Sequence, residues 1–190
     1  MASPGTIKRQ HRSASRRMRS IETPALALVP QVAAHAEEMF AVLRDPAIYE
    51  YENEPPPSLD WLRIRFTALE SRQSRDGQEQ WLNWVIRVPA SELIGYVQAT
   101  VHADGRAGVA YILSSRYWGR GLAYLAVNAM LAELCENYAV HHFTAVLKRR
   151  NLRSRSLLER LGFSMAAPQL HRELGANPDE WLMQSERRQP

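Results

Sequence analysis

The sequence has little cysteine and no long apolar run. Its only cysteine is Cys135, so no disulfide can form within the chain, and the apolar pattern around this residue predicts a buried structural thiol. No apolar run approaches the length needed to span a bilayer, and the N-terminus lacks the apolar core of a secretory signal. We therefore expect a cytoplasmic protein with no membrane partner.

Acidic residues are missing from the first 20 residues, which contain six lysines and arginines. Because the whole chain has a formal net charge of +4, the remainder carries −2. The folded part therefore offers no broad basic face, and nucleic acid is not expected as a partner, although the tail alone could touch an anion. Residues 1–20 are predicted to be a basic disordered tail, and residues 21–190 a single domain.

The apolar spacing of the N-terminal half predicts two helices. A short apolar run at 25–29 between two prolines favours a first strand at a sheet edge. Apolar residues at helical spacing follow at 31–43 and again at 59–69, where Ser58 suits the N-cap. The stretch 48–57 between them holds three glutamates and three prolines and is predicted to be a surface loop.

Beyond residue 80 the apolar period changes from helical to alternating. Strands are predicted at 81–88, 93–102 and 107–113, with close turns that indicate an antiparallel meander. A helix at 122–138, a strand at 141–147, a short helix at 154–161 and a strand from Phe163 follow, with 181–183 as the candidate last strand. We expect an α+β fold with helices on both faces of a mixed, mostly antiparallel central sheet of about six to seven strands.

A glycine-containing loop joins the third strand of the meander to the long helix. Its sequence, R-Y-W-G-R-G-L-A at 116–123, places Gly119 and Gly121 just before the helix begins. The N-terminus of a helix presents unpaired N–H groups and a positive dipole end, and glycine lets an anion approach the backbone closely. The loop is therefore typical of a phosphate or pyrophosphate site.

Two further motifs make the pattern more specific. The run A-Y-I-L at 110–113 precedes the loop, and N-L-R-S-R-S-L-L-E-R-L-G-F follows at 151–163 after a helix and a strand. With this order of elements, residues 22–165 resemble the GCN5-related N-acetyltransferases (GNAT family), most closely the branch that acetylates ribosomal-protein N-termini. The resemblance implies acetyl-CoA as cosubstrate, and two strands that splay apart to form a slot for its pantetheine arm.

The resemblance also implies roles for individual residues. Backbone groups of the strand end would hydrogen-bond the pantetheine, and those of the loop and first helical turn would hold the pyrophosphate, with two arginines adding charge. The residues concerned are Ile112, Leu113, Ser114, Arg116, Gly119, Arg120, Gly121, Leu122 and Ala123.

Asn151 and Ser154 begin the second motif, and each also suits the start of a helix as a capping residue. The resemblance implies that Asn151 contacts the pantetheine and that Ser154 gives a proton to the departing CoA thiolate. Many members of the family use a tyrosine for this proton in a different motif, and no matching tyrosine stands here.

The catalytic base is the least determined residue. Relatives in this branch often carry glutamate at the position of Gly108, so that carry-over fails here. His102 on the neighbouring predicted strand, or Glu52 or Glu54 in the acidic loop, could take its place. The acidic loop also suits the attraction of a cationic amine. No histidine or cysteine cluster has the spacing of metal ligands, so no metal is expected.

These observations predict an N-acetyltransferase. Its acceptor would be a primary amine, either on a small molecule or at a peptide or protein N-terminus, acetylated directly in a ternary complex. The missing glutamate at position 108 favours an alternative, a non-catalytic acyl-CoA-binding or regulatory module. A homodimer is left open.

Overall fold

The computed structural model describes residues 17–51, 54–89 and 92–187. Most of the predicted basic tail, residues 1–16, lies outside them. Eight strands form one sheet in the order β1-β2-β3-β4-β5-β6-β8-β7. The strands are β1 (Ile21–Glu22), β2 (Ala27–Pro30), β3 (Glu79–Arg87), β4 (Leu93–His102), β5 (Arg106–Leu113), β6 (His142–Lys148), β7 (Ser164–Met165) and β8 (Glu180–Glu186).

The described residues include five α-helices, and four of them pack on the two faces of this sheet. The five helices are α1 (Ala36–Val42), α2 (Leu59–Leu69), α3 (Leu122–Tyr138), α4 (Leu152–Arg160) and α5 (Pro168–Glu173). Buried residues of α3 and α4 form the larger core with one face of the sheet, and α1 and α2 form a second core on the other face. The predicted α+β class, with helices on both faces, is confirmed.

All strand pairs are antiparallel except β5 with β6, so the sheet is mixed and mostly antiparallel as predicted. The parallel pair is joined by a crossover through α3, since parallel neighbours cannot be connected by a tight hairpin turn. The number of strands is slightly higher than expected. The first predicted strand is not at the edge, because Ile21–Glu22 adds a further short strand outside it.

The C-terminal residues complete the sheet between two earlier elements. The predicted strand at 181–183 extends over all of β8 and inserts between β6 and β7. The helix α5 was not predicted, since it is only six residues long and has no regular apolar spacing. Cys135 is buried on α3, as expected. None of the described helices is long and apolar enough to cross a bilayer.

Candidate active site

A slot opens between β5 and β6 because these two strands pair over a short distance only. Their parallel register covers Arg106 to Gly108 on β5 and His142 to Thr144 on β6. Beyond that point β5 stays paired with β4 as far as Leu113, and β6 stays paired with β8 as far as Lys148. Each strand therefore keeps its outer partner while the two diverge, and the predicted splay is present.

The slot holds a cleft of about 100 Å³. Its walls come from β5, β6, the start of α4 and the loop after α1. The lining residues are Ile48, Tyr51, Val109, Ala110, Tyr111, Ile112, Ala145, Val146, Asn151, Ser154 and Leu158. Both motif residues that were singled out in the sequence, Asn151 and Ser154, therefore face the same space as the strand end.

The register of β5 decides which backbone groups face this slot. The Ser114 N–H donates to the Ile94 carbonyl oxygen on β4 at 2.8 Å. Because hydrogen-bonding direction alternates along an antiparallel pair, the backbone of Ile112 is also directed at β4, and those of Tyr111 and Leu113 point toward β6. The Leu113 carbonyl oxygen accepts the indole N–H of Trp118 at 2.8 Å. Of the three predicted backbone positions, only Leu113 has its N–H and C=O groups directed away from β4, whereas Ile112 lines the slot but directs its backbone groups at β4. The sequence alone does not show which residues of a strand direct their backbone groups at which neighbour.

The glycine loop leads from this strand end into α3. Gly119 and Gly121 have φ values of +74° and +76°, a region that disfavours any residue with a Cβ. No side chain caps α3, and its first internal hydrogen bond runs from Leu125 N–H to Gly121 C=O. The N–H groups at Leu122 and Ala123 therefore point out of the helix end, as an anion site requires.

The two predicted arginines lie on the exposed side of this loop. The Arg120 guanidinium sits 5.3 Å from the centre of the Tyr117 ring. A guanidinium nitrogen of Arg116 lies 3.8 Å from Oε1 of Glu92, and the other carboxylate oxygen, Oε2, accepts a hydrogen bond from the Tyr117 hydroxyl at 2.5 Å. That hydrogen bond raises the pKa of Tyr117. Both guanidinium groups lie beside the glycine loop and remain accessible to a phosphate.

A third arginine at this site was missed in the sequence. Arg153, on the first turn of α4, lies 4.4 Å from the centre of the Trp118 ring. It also approaches Glu50 in the loop after α1, at 3.9 Å. The signal was its place inside the N-L-R-S motif, but only the fold brings that motif beside the glycine loop.

Asn151 and Ser154 are held together at the start of α4. The Asn151 Oδ1 accepts the Ser154 backbone N–H at 3.0 Å, so Asn151 is the helix cap. The Ser154 Oγ lies 2.6 Å from the hydroxyl of Tyr111, which reaches it from β5. The sequence motif contains no tyrosine, yet the fold supplies one from another element. This partner was missed because a contact between β5 and α4 has no local sequence signal.

The candidate bases lie in different places. Glu54 is exposed on the loop that begins beside the slot-lining Tyr51, and Glu52 lies outside the described residues. Interaction with the neighbouring Glu50 carboxylate raises the pKa of Tyr51. The acidic loop therefore begins at the mouth of the slot.

His102 is not brought to the slot. Its Nδ1 lies 3.4 Å from an Oε1 of Glu79, near the turn between β4 and β5. On β4, Tyr96 is the residue that pairs with the slot-lining Ile112. His102 lies six residues further along β4, a distance of about 20 Å in a strand. Among the residues that the structure describes, no group of three or more His, Cys, Asp or Glu side chains could hold a metal ion.

Known structures with this fold include acetyltransferases. RimL, a ribosomal L7/L12 alpha-N-protein acetyltransferase in complex with coenzyme A, superposes with a TM-score of 0.73 at 14% identity over 88% of this chain and 98% of its own. The ribosomal-protein-S5-alanine acetyltransferase from Vibrio fischeri gives 0.72 at 18%, covering 89% of this chain and 97% of its own. A chimera of spermidine N-acetyltransferase SpeG from Vibrio cholerae and hSSAT gives 0.68 at 18%, covering 85% and 95%.

Sequence comparison gives the family directly. No curated protein sequence is significantly similar to the chain. The model of the acetyltransferase (GNAT) domain, however, matches residues 25–164, which include the slot, the glycine loop and both motif residues of α4. The chain therefore belongs to the GNAT family of acetyltransferases, enzymes that use acetyl-CoA.

Proposed function

We propose that this acetyltransferase transfers the acetyl group directly from acetyl-CoA to a primary amine while both substrates are bound. The observation that carries the proposal is the slot between β5 and β6. It is lined by β5, β6 and α4, and by Ile48 and Tyr51 of the loop after α1, and β5 leads from it into the glycine loop. A donor and an acceptor can therefore meet in it from opposite faces of the sheet.

The glycine loop fits the pyrophosphate of the donor. Neither Gly119 nor Gly121 has an atom within 4 Å of the position that a Cβ would take, so the space above the loop is open. The N–H groups of Gly119, Gly121, Leu122 and Ala123 would bind the phosphate oxygens. The guanidinium groups of Arg116 and Arg120 would add charge from the exposed side.

The strand end and α4 fit the rest of the donor. Leu113 N–H would hydrogen-bond the pantetheine arm, while Ile112 and Ser114 shape the wall through the backbone that pairs with β4. The Asn151 amide nitrogen would donate to a pantetheine carbonyl, since its oxygen caps the helix. Bound acetyl-CoA supplies a thioester whose acyl carbon an amine can attack.

The acceptor would enter past Ile48 and Tyr51. A primary amine is mostly protonated near neutral pH and must lose a proton before it can attack. The acidic loop would attract the cation, and Glu54 would take the proton directly or through water. The neighbours support an amine acceptor, because one is named for a protein N-terminus and another for spermidine.

Acetyl-CoA and a panel of amines test the proposal. The panel contains spermidine, short peptides with a free alanine or serine N-terminus, and the same peptides with a blocked N-terminus as controls. We expect release of free CoA thiol with at least one free amine and none with its blocked form. Calorimetric binding of CoA without turnover of any amine would contradict the proposal and favour a non-catalytic acyl-CoA-binding module.

A further inference from the structure

The hydroxyl groups of Tyr111 and Ser154 form a pair inside the donor slot. Their oxygen atoms are 2.6 Å apart, and the Tyr111 hydroxyl is also 3.4 Å from the Ser154 carbonyl oxygen. Both residues line the slot, so the pair faces the space where the thioester would lie. Tyr51 is the one other titratable side chain among the slot-lining residues, and interaction with the neighbouring Glu50 carboxylate raises its pKa.

A serine alone is a poor proton donor for a thiolate. Thiols ionise near pH 8.5 and phenols near pH 10, whereas a serine hydroxyl does not titrate in the range where protein groups ionise. Transfer from serine to a thiolate would leave an alkoxide, which is far more basic than the group it protonated. A phenol matches the thiol closely, so a tyrosine behind the serine removes this mismatch.

We propose that Tyr111 is the source of the proton that Ser154 delivers to the leaving thiolate. This inference rests on the proposed acetyl transfer. When the C–S bond breaks, its electron pair stays on sulfur, and sulfur takes the proton from Ser154 Oγ. Ser154 Oγ takes the Tyr111 proton in the same event, and the phenolate regains one from water. The amine releases its own proton to the base and then to water, so protons balance over the cycle.

The two hydroxyl groups of the relay are positioned by different elements of the fold. The backbone amide of Ser154 is fixed by Asn151, and the helix start holds its hydroxyl on the slot wall. Tyr111 approaches from β5, whose pairing with β4 fixes the base of its side chain. Two separate elements therefore hold the two hydroxyl groups at hydrogen-bond distance before any substrate binds, as proton transfer requires.

The substitution Tyr111→Phe tests the relay because it removes one oxygen atom and keeps the ring. With acetyl-CoA and the best acceptor of the panel, we expect kcat to fall about 100-fold, with little change in KM for acetyl-CoA. Ser154→Ala should have a similar effect, and the double variant should be no slower than either single variant. The control is Thr23→Val, which loses a comparable hydroxyl bond, to Leu26 O at 2.7 Å, between β1 and β2 and outside the slot lining.

A readout without turnover separates this role from a structural one. A thiolate that accepts a hydrogen bond from Ser154 is stabilised, so the thiol of bound CoA should ionise at lower pH in the wild type than in Tyr111→Phe. The thiolate absorbance of the CoA complex against pH measures this. Calorimetry should give equal CoA affinity at neutral pH for both proteins, and thermal unfolding should confirm that the variant is folded.

The outcomes are distinct. A wild type that acetylates an amine while Tyr111→Phe keeps kcat within about twofold would overturn the relay alone. The relay is also overturned by the following pair of results. The fold-losses of kcat in Tyr111→Phe and Ser154→Ala multiply in the double variant, and the thiol of bound CoA ionises at the same pH in the wild type and in all variants. A wild type that acetylates no amine would overturn the proposed function, and the relay with it.

Discussion

The carboxylate of Asp45 accepts the backbone N–H of Ser115 at 2.7 Å and that of Ala47 at 3.1 Å. Asp45 follows α1, and Ser115 begins the turn after β5, so one side chain joins the loop on the acceptor side of the slot to the loop on the donor side. Partial burial opposes ionisation of Asp45, but the hydrogen bonds from Ser115, Ala47 and Ser114 outweigh it and lower its pKa. The two sides of the slot are thereby held in a fixed relation.

Removal of this carboxylate should loosen both loops. For Asp45→Ala we expect the free energy of unfolding to fall by about 1–2 kcal/mol, since a charged acceptor and a helix-start cap are lost. Asp45→Asn keeps one acceptor oxygen and should lose about half as much. Urea unfolding at neutral pH measures both, and an Asp45→Ala protein as stable as the wild type would contradict the role.

The lowered pKa also gives a pH dependence with a definite sign. The folded state holds the carboxylate ionised more strongly than the unfolded chain does, so this contribution is complete above the unfolded pKa of about 4. It is lost as the pH falls through the lower, folded value. The stability difference between wild type and Asp45→Asn should therefore shrink on acidification below about pH 4 and stay constant from there to neutrality.

Gly121 should be needed for the donor and not merely for the turn. Gly121→Ala forces a Cβ into a left-handed backbone, which costs roughly 1–2 kcal/mol, and places a methyl group beside the anion site. The matched control is Gly77→Ala, at φ +72° in a turn away from the slot, also with no atom within 4 Å of the added Cβ. Both variants should lose similar stability, but only Gly121→Ala should weaken CoA binding, by about tenfold. Equal CoA affinity in the two variants would argue against a pyrophosphate at this loop.

Gly95 brings β4 close to the strand that walls the slot. A Cβ at this position would collide with the Ile112 carbonyl oxygen and lie 2.9 Å from Leu113 Cα. Both of these are backbone atoms of β5, which cannot move away without breaking its pairing with β4. We expect Gly95→Ala to lower the free energy of unfolding by more than about 3 kcal/mol. Gly108→Ala is the control on β5, since its Cβ would meet only Thr144 Oγ1 at 3.9 Å. Thermal unfolding should separate the two, and similar melting temperatures would contradict the collision.

The sequence allowed the order of elements and the glycine loop before α3 to be predicted, because both depend on local signals. The alternation of β3 to β5, the cap at Ser58 and the glycines before α3 each act within a few residues. The edge position of β1 and the insertion of β8 between β6 and β7 could not be predicted, since they depend on which distant strands pair.

The contact between Ser154 and Tyr111 shows the same difference between local and distant signals. Ser154 was identified from its motif, but Tyr111 was read only as part of an apolar strand. Their contact depends on how far β5 and β6 have diverged when α4 begins. Likewise, the N–H and C=O groups of Ile112 are directed at β4 and not into the slot, and this follows from the pairing of β4 with β5. Local sequence patterns contain no information about this contact or about the direction of these backbone groups.

Of the candidate bases, the structure describes Glu54 and His102, and substitution of each is expected to have a different effect on activity. Glu54 is exposed on the loop that starts at the slot. His102 lies beside Glu79 at the far end of β4, about 20 Å from the part of β4 that pairs with Ile112. We expect Glu54→Gln to lower kcat/KM for the amine about tenfold, by removing a base and a charge that attracts the cation. His102→Gln should change it less than twofold, because the side chain cannot reach the amine.

The pH dependence of the residual activity separates the two contributions of Glu54. If Glu54 accepts the proton, the loss in Glu54→Gln should diminish as the pH approaches the amine's own pKa, where free amine is abundant. If it only attracts the cation, the loss should instead diminish with added salt. Initial rates across pH at two ionic strengths distinguish these cases. If kcat/KM falls tenfold in His102→Gln and is unchanged in Glu54→Gln, the base is His102. The end of β4 that carries His102 would then have to approach the slot during turnover.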